Sequence, residues 1–208
     1  MTASYPHFVL VNGSENSSGS TATVISFVAE MLSTLSVTSE VIHLTNYNLI
    51  PCGPCGDCNW RTQECEIRDA MPSIVERLKA SDGVIYAAPV HAFGLSSTMQ
   101  AFIERLGVGF LRFHRPLADK VGGVISVGRR YSHLNVTAQL QQNMLLNRMI
   151  IPGSGYPAMI STERGDPLDD IEGVASVTAL CARVAEVVHR MRFTAPGTSA
   201  LRINERTF

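Results

Sequence analysis

Short, unbroken apolar runs alternate with amphipathic segments along most of the chain. The runs are four to seven residues long, and most of them end at a glycine, a proline or a polar turn residue. Such runs are typical of strands that are buried on both faces of a parallel sheet. The third run is expected to stop at Pro89. The pattern predicts strands at residues 8–11, 41–44, 83–88 and 121–127, and a fifth strand at 150–151 or 158–160.

Between the strands, apolar residues recur at intervals of three or four, which places them on one face of a helix. Before the second helix, Asp69 can act as the N-cap and Pro72 fits the first turn. The predicted helical faces are Val24, Phe27, Val28, Met31 and Leu32; Met71, Ile74, Val75 and Leu78; and Met99, Phe102, Ile103 and Leu106. Two further helices are predicted at about 134–148 and 168–192.

Strands that alternate with helices indicate a parallel sheet covered by helices on both faces. Five such units predict an α/β fold with a flavodoxin-like, doubly wound, five-stranded parallel sheet. We assign residues 1–192 to this domain, with a cysteine-rich loop at 45–68 inserted after the second strand, and 193–208 to a C-terminal tail or arm. In such folds ligands bind beyond the carboxyl ends of the strands. The loops expected there are 12–21, 88–95 and 128–133.

Composition narrows the range of partners. The 208 residues include 17 Lys and Arg against 18 Asp and Glu, for a formal net charge of −1. This balance gives no electrostatic footprint for nucleic acid or for an anionic membrane. No apolar run approaches the roughly 20 residues that span a bilayer. Residues 1–7 do not have the pattern of a signal peptide, so we expect a cytoplasmic protein without nucleic-acid or membrane partners.

The loop at 12–21 has the composition of an anion site. Its small residues allow backbone N–H groups to surround a phosphate, its hydroxyls add donors, and a helix N-terminus follows. No Gly-Lys-Ser/Thr sequence is present, so it is not a Walker loop. The alternative interpretation is a surface turn that merely caps the helix. The residues expected to contact a phosphate are Gly13, Ser14, Asn16, Ser18, Gly19, Ser20 and Thr21.

Four of the five cysteines lie within fourteen positions, in the spacing C-x2-C-x2-C-x6-C. In a chain without a secretion signal, such packing favours a metal or redox site over a disulfide framework. Gly53 and Gly56 allow the tight turns that such a site needs. Structural zinc, redox-active disulfides or no ligand at all remain alternatives to an iron–sulfur cluster. The candidate ligands are Cys52, Cys55, Cys58 and Cys65; the fifth cysteine, Cys181, is expected to be an ordinary buried thiol.

Three motifs together resemble a known family. They are Gly13-Ser14-x-x-x-x-Gly19-x-Thr21, Ala88-Pro89-Val90-His91-Ala92-Phe93-Gly94 and Gly128-Arg129-Arg130. Over residues 7–160 they are similar, in this order, to the NADPH-dependent FMN reductase-like proteins of flavodoxin fold. The cysteine spacing narrows the resemblance to the iron–sulfur flavoproteins, which bind a [4Fe–4S] cluster. The resemblance implies FMN, with its phosphate on the first motif and its ring against Pro89, Val90, His91, Phe93, Gly94, Gly128 and Arg129.

The chain departs from the family pattern at three places. Glu15 stands near a position where the family often has arginine, and His91 replaces a common aromatic residue. Tyr131-Ser132-His133 replaces the Gly-Gly that often follows the third motif. These changes fall at the expected flavin and substrate face.

Three residues of these loops are candidate catalytic groups. His91 could donate a hydrogen bond to the flavin or a proton to a substrate, or be a hydrogen-bonded loop residue. Arg129 and Arg130 could meet the flavin pyrimidine edge, a nicotinamide phosphate or a substrate carboxylate, or be part of a solvated turn.

The resemblance implies an oxidoreductase that uses FMN and an iron–sulfur cluster. It would join a two-electron donor, with NAD(P)H as a candidate, to one-electron acceptors such as ferredoxin, in a homodimer or homotetramer. One alternative is a dedicated dehydrogenase of a small carboxylated ring compound of the chorismate type. Others are a cluster-free NAD(P)H:FMN or quinone reductase, and a redox sensor based on zinc or thiols.

Overall fold

The computed structural model describes residues 5–53, 58, 63–107, 111 and 114–193. These residues form an α/β fold around one sheet whose parallel strands have the spatial order β2-β1-β3-β5-β6. A sixth strand, β4, pairs with the end of β3 in the antiparallel direction. The strands are β1 (His7–Asn12), β2 (Thr38–His43), β3 (Gly83–His91), β4 (Gly94–Leu95), β5 (Val121–Gly128) and β6 (Ala158–Ser161).

Among the elements that the structure describes, five α-helices cover both faces of the sheet. They are α1 (Ser20–Thr34), α2 (Met71–Ala80), α3 (Ser97–Arg105), α4 (His133–Leu146) and α5 (Ile171–Phe193). Helices α1 and α5 pack on one face, and α2, α3 and α4 pack on the other. Successive residues of the central strands therefore enter different cores: Leu10 belongs to the first and Val11 to the second. Burial on both faces explains why these strands are unbroken apolar runs in the sequence.

The flavodoxin-like, doubly wound architecture is confirmed, but the sheet has six strands against the predicted five. The additional strand, β4, is only two residues long. A segment of two residues has no periodicity, so no apolar pattern marks it. The fifth parallel strand is the second of the two alternatives, at Ala158–Ser161, while Ile150 forms only an isolated bridge to Val121.

The prediction that Pro89 ends the third strand is wrong. Strand β3 continues to His91, and Pro89 pairs with Val127 of β5. On the other side of β3, pairing with β1 ends at Ala87. Beyond this point β3 has a parallel neighbour on one side only, and a residue without a backbone N–H is tolerated there as on an edge strand.

Two predicted segments fall largely outside the described residues. The cysteine loop is described only at 45–53, 58 and 63–68, and the tail only to its first residue, 193. Asp69 lies one position before the backbone N-cap of α2, Ala70, and its Oδ1 accepts a hydrogen bond from Met71 N. Among the described helices, none is long and apolar enough to cross a membrane.

Gly83→Ala should lower the free energy of unfolding by about 1–3 kcal/mol, because overpacking a core has a cost of this size. A Cβ at position 83 would overlap the Phe8 ring and lie 2.7 Å from Val121 O. Urea unfolding of the apo-protein measures the change. The matched control is Gly153→Ala, where nothing lies within 4 Å of the added carbon. Equal unfolding midpoints for the two variants would contradict the tight packing of Gly83 against Phe8 and Val121.

Candidate functional site

The loops after β1, β3 and β5 meet at the carboxyl edge of the sheet, because these three strands are neighbours. Gly13 N donates to Ala87 O at 2.9 Å, which ties the first loop to β3. Ser96 Oγ, which follows β4, donates to Gly13 O. The third loop starts at Gly128, where an added Cβ would lie 2.9 Å from Val90 Cγ2. The three sequence motifs therefore line one edge of the fold.

The first loop is held in shape by its own side chains. Asn12 Oδ1 accepts from Ser14 N at 3.0 Å, and Ser14 Oγ accepts from Asn16 N at 3.1 Å. Asn16 Oδ1 then accepts from both the N–H and the hydroxyl of Ser18 at 3.0 Å. Such turns fix the loop before any ligand binds. The amide oxygen of Asn16 is therefore hydrogen-bonded within the loop itself.

The N-terminus of α1 is left open behind this loop. Gly19 is the N-cap and supplies no side-chain cap, and the first turn carries no acidic residue. Within the described part of the chain, the N–H groups of Ser20 and Thr21 have no acceptor. Free N–H groups and the positive end of the helix dipole together favour an anion such as a phosphate.

Helix α3 packs directly against the first loop. An added Cβ at Gly13 would lie 2.5 Å from Met99 Cε and 2.8 Å from Met99 Cβ, so only glycine fits between the loop and the helix. Ser96, the N-cap of α3, accepts from Met99 N at 3.3 Å while it donates to Gly13 O. The position of the loop therefore depends on α3.

Glu15 is hydrogen-bonded at the N-terminus of α3. Its Oε1 accepts from Ser97 Oγ at 2.9 Å and from Thr98 N at 3.3 Å, at the N-terminus of α3. Its Oε2 lies 3.6 Å from His91 Nδ1. Partial burial opposes ionisation, but these hydrogen bonds and the nearby His91 hold the pKa of Glu15 below its ordinary value. An ionised Glu15 thus joins the first loop to the second loop and to the N-terminus of α3.

The turn between β3 and β4 forms one wall of an open cleft of about 380 Å³. Ala92 and Phe93 both have positive φ, at 45° and 68°, and Phe93 is 67% exposed. The cleft is lined by Val90, Ala92, Phe93, Arg129, Arg130, Tyr131 and Glu163. An apolar wall facing two guanidinium groups suits a planar ring with a polar edge.

The two arginines after β5 separate this cleft from a second one. Arg130 Nη1 lies 3.7 Å from Glu163 Oε1, and its guanidinium carbon lies 5.7 Å from the Tyr131 ring centroid. The backbone O of Arg129 accepts from Ser161 Oγ at 3.1 Å. The second cleft, of about 650 Å³, runs between β6 and α5 and shares Arg129, Arg130 and Glu163 with the first.

Three of the four candidate metal ligands lie among the described residues, and Cys55 lies outside them. Cys52 and Cys65 are exposed, and Cys58 is half-buried. No three His, Cys, Asp or Glu side chains of the described segments are grouped closely enough to hold a metal ion. Cys181 is buried in α5, and burial raises the pKa of its thiol to about 12. This agrees with the prediction of an unreactive core cysteine.

Sequence reasoning missed a buried ion pair beside the cysteine segment. Arg105, at the end of α3, donates from both Nη atoms to the carboxylate of Asp69. The side chains are only 4% and 2% exposed. The sequence pattern indicates only a helix cap at Asp69. The available signal was Arg105 itself, which stands three positions after Phe102 on the apolar face of α3 and so requires a buried partner.

Burial opposes ionisation of Asp69, but the hydrogen bonds from Arg105, Ile50 N and Met71 N hold the pKa of its carboxyl below the ordinary value. For Arg105, burial alone would lower the pKa. The partner Asp69, with a further contribution from Cys65, instead raises the pKa of the guanidinium. The pair is therefore fully ionised at neutral pH.

Comparison with known proteins assigns the chain to a family. The sequence model of a family described as NADPH-dependent FMN reductase matches residues 6–163. An iron–sulfur flavoprotein of Methanocaldococcus jannaschii is 28% identical over 189 residues, covering 86% of this chain and 95% of the relative. One from Methanosarcina thermophila is 29% identical over 146 residues, covering 69% and 75%.

Solved structures share the fold at low sequence identity. RosB, determined with 8-demethyl-8-formylriboflavin-5'-phosphate, has a TM-score of 0.76 at 14% identity, over 96% of this chain and 91% of its own. A WrbA-like flavodoxin from Agrobacterium tumefaciens has a TM-score of 0.61 at 18% identity, over 90% and 99%. These likenesses support the fold assignment.

Proposed function

The chain belongs to the NADPH-dependent FMN reductase family of flavin-dependent oxidoreductases, and within it we propose a protein that uses FMN together with an iron–sulfur cluster. It would transfer electrons between a two-electron donor and one-electron acceptors. One observation carries the proposal: a single chain combines an anion site at the open end of α1 with a compact four-cysteine segment. The relatives named iron–sulfur flavoprotein support it.

For FMN, the residues present fit the group. The free N–H groups of Ser20 and Thr21 and the positive end of α1 suit its phosphate. Gly13, Ser14, Asn16, Ser18 and Gly19 would form the loop around that phosphate. The ring would lie in the first cleft, which is lined by Val90 and Phe93 on one side and Arg129 on the other. Pro89, His91, Gly94 and Gly128, which the family resemblance also assigns to the ring, adjoin these lining residues in the chain but do not themselves line the cleft.

For the cluster, the donor chemistry fits. Cys52, Cys55, Cys58 and Cys65 would supply four thiolates, which are the usual ligands of a [4Fe–4S] cluster. Thiolate ligands also fit a reducing compartment, so we propose the cytoplasm as the location.

The two cofactors would supply different chemistry: bound flavin exchanges two electrons with an organic substrate or one with a carrier, and a cluster exchanges one. The residues of the chain bind and orient the cofactors and the donor. His91 lies 3.6 Å from Glu15 Oε2 and between the cleft residues Val90 and Ala92 in the chain, and it is the proposed group that gives or takes a proton. Arg129 and Arg130 can bind an anionic group of the donor, such as a nicotinamide phosphate or a carboxylate.

We propose a redox protein such as ferredoxin as the one-electron acceptor and NAD(P)H as a donor. A homodimer or homotetramer, the assembly that the family resemblance implies, would bring the flavin of one chain near the cluster of another. Neither nucleic acid nor membrane is proposed as a partner.

The second cleft favours one alternative: a dehydrogenase of a small carboxylated compound, such as one of the chorismate type. Its 650 Å³ would hold a compound of drug size. Arg129 and Arg130 lie where this cleft meets the ring cleft, so either could bind a carboxylate next to the flavin. Turnover of one compound at a rate far above that of general acceptors would favour this function over electron carriage.

The test is anaerobic purification followed by a visible spectrum and assays for iron, acid-labile sulfide and zinc. Flavin bands over a broad absorbance near 400 nm, with about four irons per chain, are expected. Flavin without iron would indicate a cluster-free NAD(P)H:FMN or quinone reductase. Colourless protein with stoichiometric zinc would indicate a zinc- or thiol-based redox sensor.

Cys65→Ser should lower the iron content well below four per chain and leave FMN content unchanged, because Cys65 is not among the residues proposed to bind FMN. Cys181→Ser is the matched control: this thiol is buried in α5 and is not a proposed ligand, so iron content should stay at the wild-type value. Equal iron content in the two variants would remove Cys65 from the proposed ligand set.

A further inference from the structure

His133 is a residue of the second cleft to which the proposed function gives no role. It is the first residue of α4, and its side chain lies where β5 and β6 end. Its Nε2 lies 3.2 Å from Gly128 O and 3.1 Å from Ile160 O. Both partners are backbone carbonyl oxygens, which accept hydrogen bonds and cannot donate them. Nε2 therefore carries a hydrogen and donates it.

This contact also determines the state of the other ring nitrogen. A neutral imidazole has one N–H donor and one acceptor, so a hydrogen on Nε2 leaves Nδ1 with a lone pair. Among the residues that the structure describes, Nδ1 has no hydrogen-bond partner, and it is open to solvent. His133 itself is half-buried. Its ring thus offers the cleft a single acceptor in a fixed position.

Arg129 supplies a positive charge to the same cleft. Within the described ranges, its guanidinium makes no ion pair or hydrogen bond, whereas Arg130 lies 3.7 Å from Glu163. A guanidinium presents paired N–H groups that match a carboxylate. Arg129 and His133 both line the cleft, whose volume of about 650 Å³ is that of a site for one small ligand.

The acidic groups of the cleft limit the negative charge of such a ligand. The Asp170 carboxylate is already occupied, because it accepts from Ser161 N at 2.7 Å and from Gly173 N at 3.1 Å. Glu172 lines the cleft from the first turn of α5 and is exposed. Its carboxylate repels a second negative charge on the ligand. A ligand with one carboxylate is therefore favoured over a dianion such as a phosphate.

We propose that the second cleft binds a small hydroxy-carboxylate, with its carboxylate on Arg129 and its hydroxyl donating to Nδ1 of His133. The lining by Tyr156, Pro157 and Met159 suits an apolar ring between these two groups. The inference rests on the alternative function given above, in which this cleft is the substrate site. It adds that a carboxylate without a hydroxyl in reach of His133 is a poorer ligand. The cluster plays no part in it.

The test uses benzoate and the three isomers of hydroxybenzoate, titrated by calorimetry into the cofactor-loaded protein at about pH 8, where a free imidazole is neutral. The isomer whose hydroxyl reaches Nδ1 should bind about 3- to 10-fold more tightly than benzoate, because it gains one hydrogen bond. In His133→Gln this preference should vanish, while benzoate should bind as in wild type. Glutamine keeps an amide donor for Gly128 O and Ile160 O but has no acceptor at the place of Nδ1.

Three further variants locate the binding site. His189→Gln is the matched control, because Nε2 of His189 also donates to a backbone carbonyl, Leu35 O at 3.0 Å, but His189 does not line the cleft. It should keep the wild-type preference. Arg129→Gln should weaken the binding of all four probes. Ala175→Trp places a large ring on the α5 wall of the second cleft, outside the ring cleft, and should weaken all four as well.

A measurement on wild type covers the case in which His133→Gln does not fold. Nitrogen NMR, with His133 assigned through its backbone, should show hydrogen on Nε2 and a bare Nδ1 whose resonance shifts when the preferred isomer binds. A hydrogen on Nδ1, or equal affinity of wild type for benzoate and every isomer, would overturn the role of His133 alone. If no probe binds, or if Ala175→Trp binds them all normally, the second cleft is not a substrate site. Iron and FMN content, which test the proposed electron transfer, are measured separately.

Discussion

Asp69→Asn should lower the free energy of unfolding by about 3–5 kcal/mol, the usual cost of removing one partner of a buried ion pair. Arg105 stays charged when Asp69 is replaced, because a guanidinium keeps its proton at any ordinary pH. Its side chain is 4% exposed, so water cannot replace the lost carboxylate. Urea unfolding of the apo-protein measures the loss.

The pair between Arg77 and Glu40 provides the control. It is also a two-pronged contact, made through Nε and Nη2 of Arg77, but each side chain is 34% exposed. Exposed pairs contribute about 1 kcal/mol or less, because water solvates either partner once the other is gone. Glu40→Gln should therefore have a small effect. Equal losses in the two variants would show that burial does not determine the contribution of the Asp69–Arg105 pair.

The acid stability of the protein should change in the same variant. The pKa of Asp69 is held below its ordinary value in the folded state by Arg105 and two backbone N–H groups. A lowered folded-state pKa stabilises the fold at every pH above the unfolded value, and this stabilisation is lost as the pH falls through the folded value. Wild type should thus lose this part of its stability below about pH 4. The Asp69→Asn variant should not show this loss of stability at acid pH.

The sequence predicted the parts of the fold that depend on local pattern. Runs such as 83–88 and 121–127 could be assigned to parallel strands because both faces of the sheet are buried. The failure at Pro89 has a different origin: whether a strand tolerates proline depends on which neighbour still pairs with it, and β1 ends its pairing at Ala87. Strand β4 exists only because β3 continues beyond that point.

The candidate site, like the fold, has parts that the sequence predicts and parts that depend on distant contacts. Loops 12–21, 88–95 and 128–133 were placed by the rule that ligands bind at the carboxyl ends of parallel strands. The direction of the Glu15 side chain was not predictable, because its partners Ser97 and Thr98 are more than 80 residues away. The Asp69–Arg105 pair joins residues 36 apart across the cysteine segment. Contacts of this kind follow from topology and leave little local signal.

Ser20→Asp should weaken FMN binding about 100-fold and leave the apo-protein at least as stable as wild type. Each hydrogen bond from a backbone N–H to a charged group contributes about 1.5–3 kcal/mol. The loss of two such hydrogen bonds at the start of α1 would lower the free energy of FMN binding by about 3 kcal/mol, which corresponds to an increase of about 100-fold in Kd. A carboxylate in the first turn also competes with the phosphate for the positive end of the helix. Titration of apo-protein with FMN measures the change.

Stability separates this effect from misfolding. The first turn of α1 has no acidic residue, so a carboxylate there should stabilise the helix by about 0.3–1 kcal/mol. Ser20→Asn has nearly the same shape without the charge, and it should bind FMN close to normally. If the unfolding midpoint of Ser20→Asp falls below that of Ser20→Asn, the weaker FMN binding reflects damage to the loop and not repulsion of a phosphate.

Riboflavin distinguishes the phosphate from the ring, because it has the same isoalloxazine system and no phosphate group. If the open end of α1 binds the phosphate, Ser20→Asp should weaken the binding of FMN and leave the binding of riboflavin unchanged. The dissociation constants of the two ligands should then approach each other. If both ligands weaken equally, the carboxylate disturbs the ring cleft, and the loop at 12–21 is not the phosphate site. The ratio of the two dissociation constants therefore tests the assignment of this loop independently of any turnover assay.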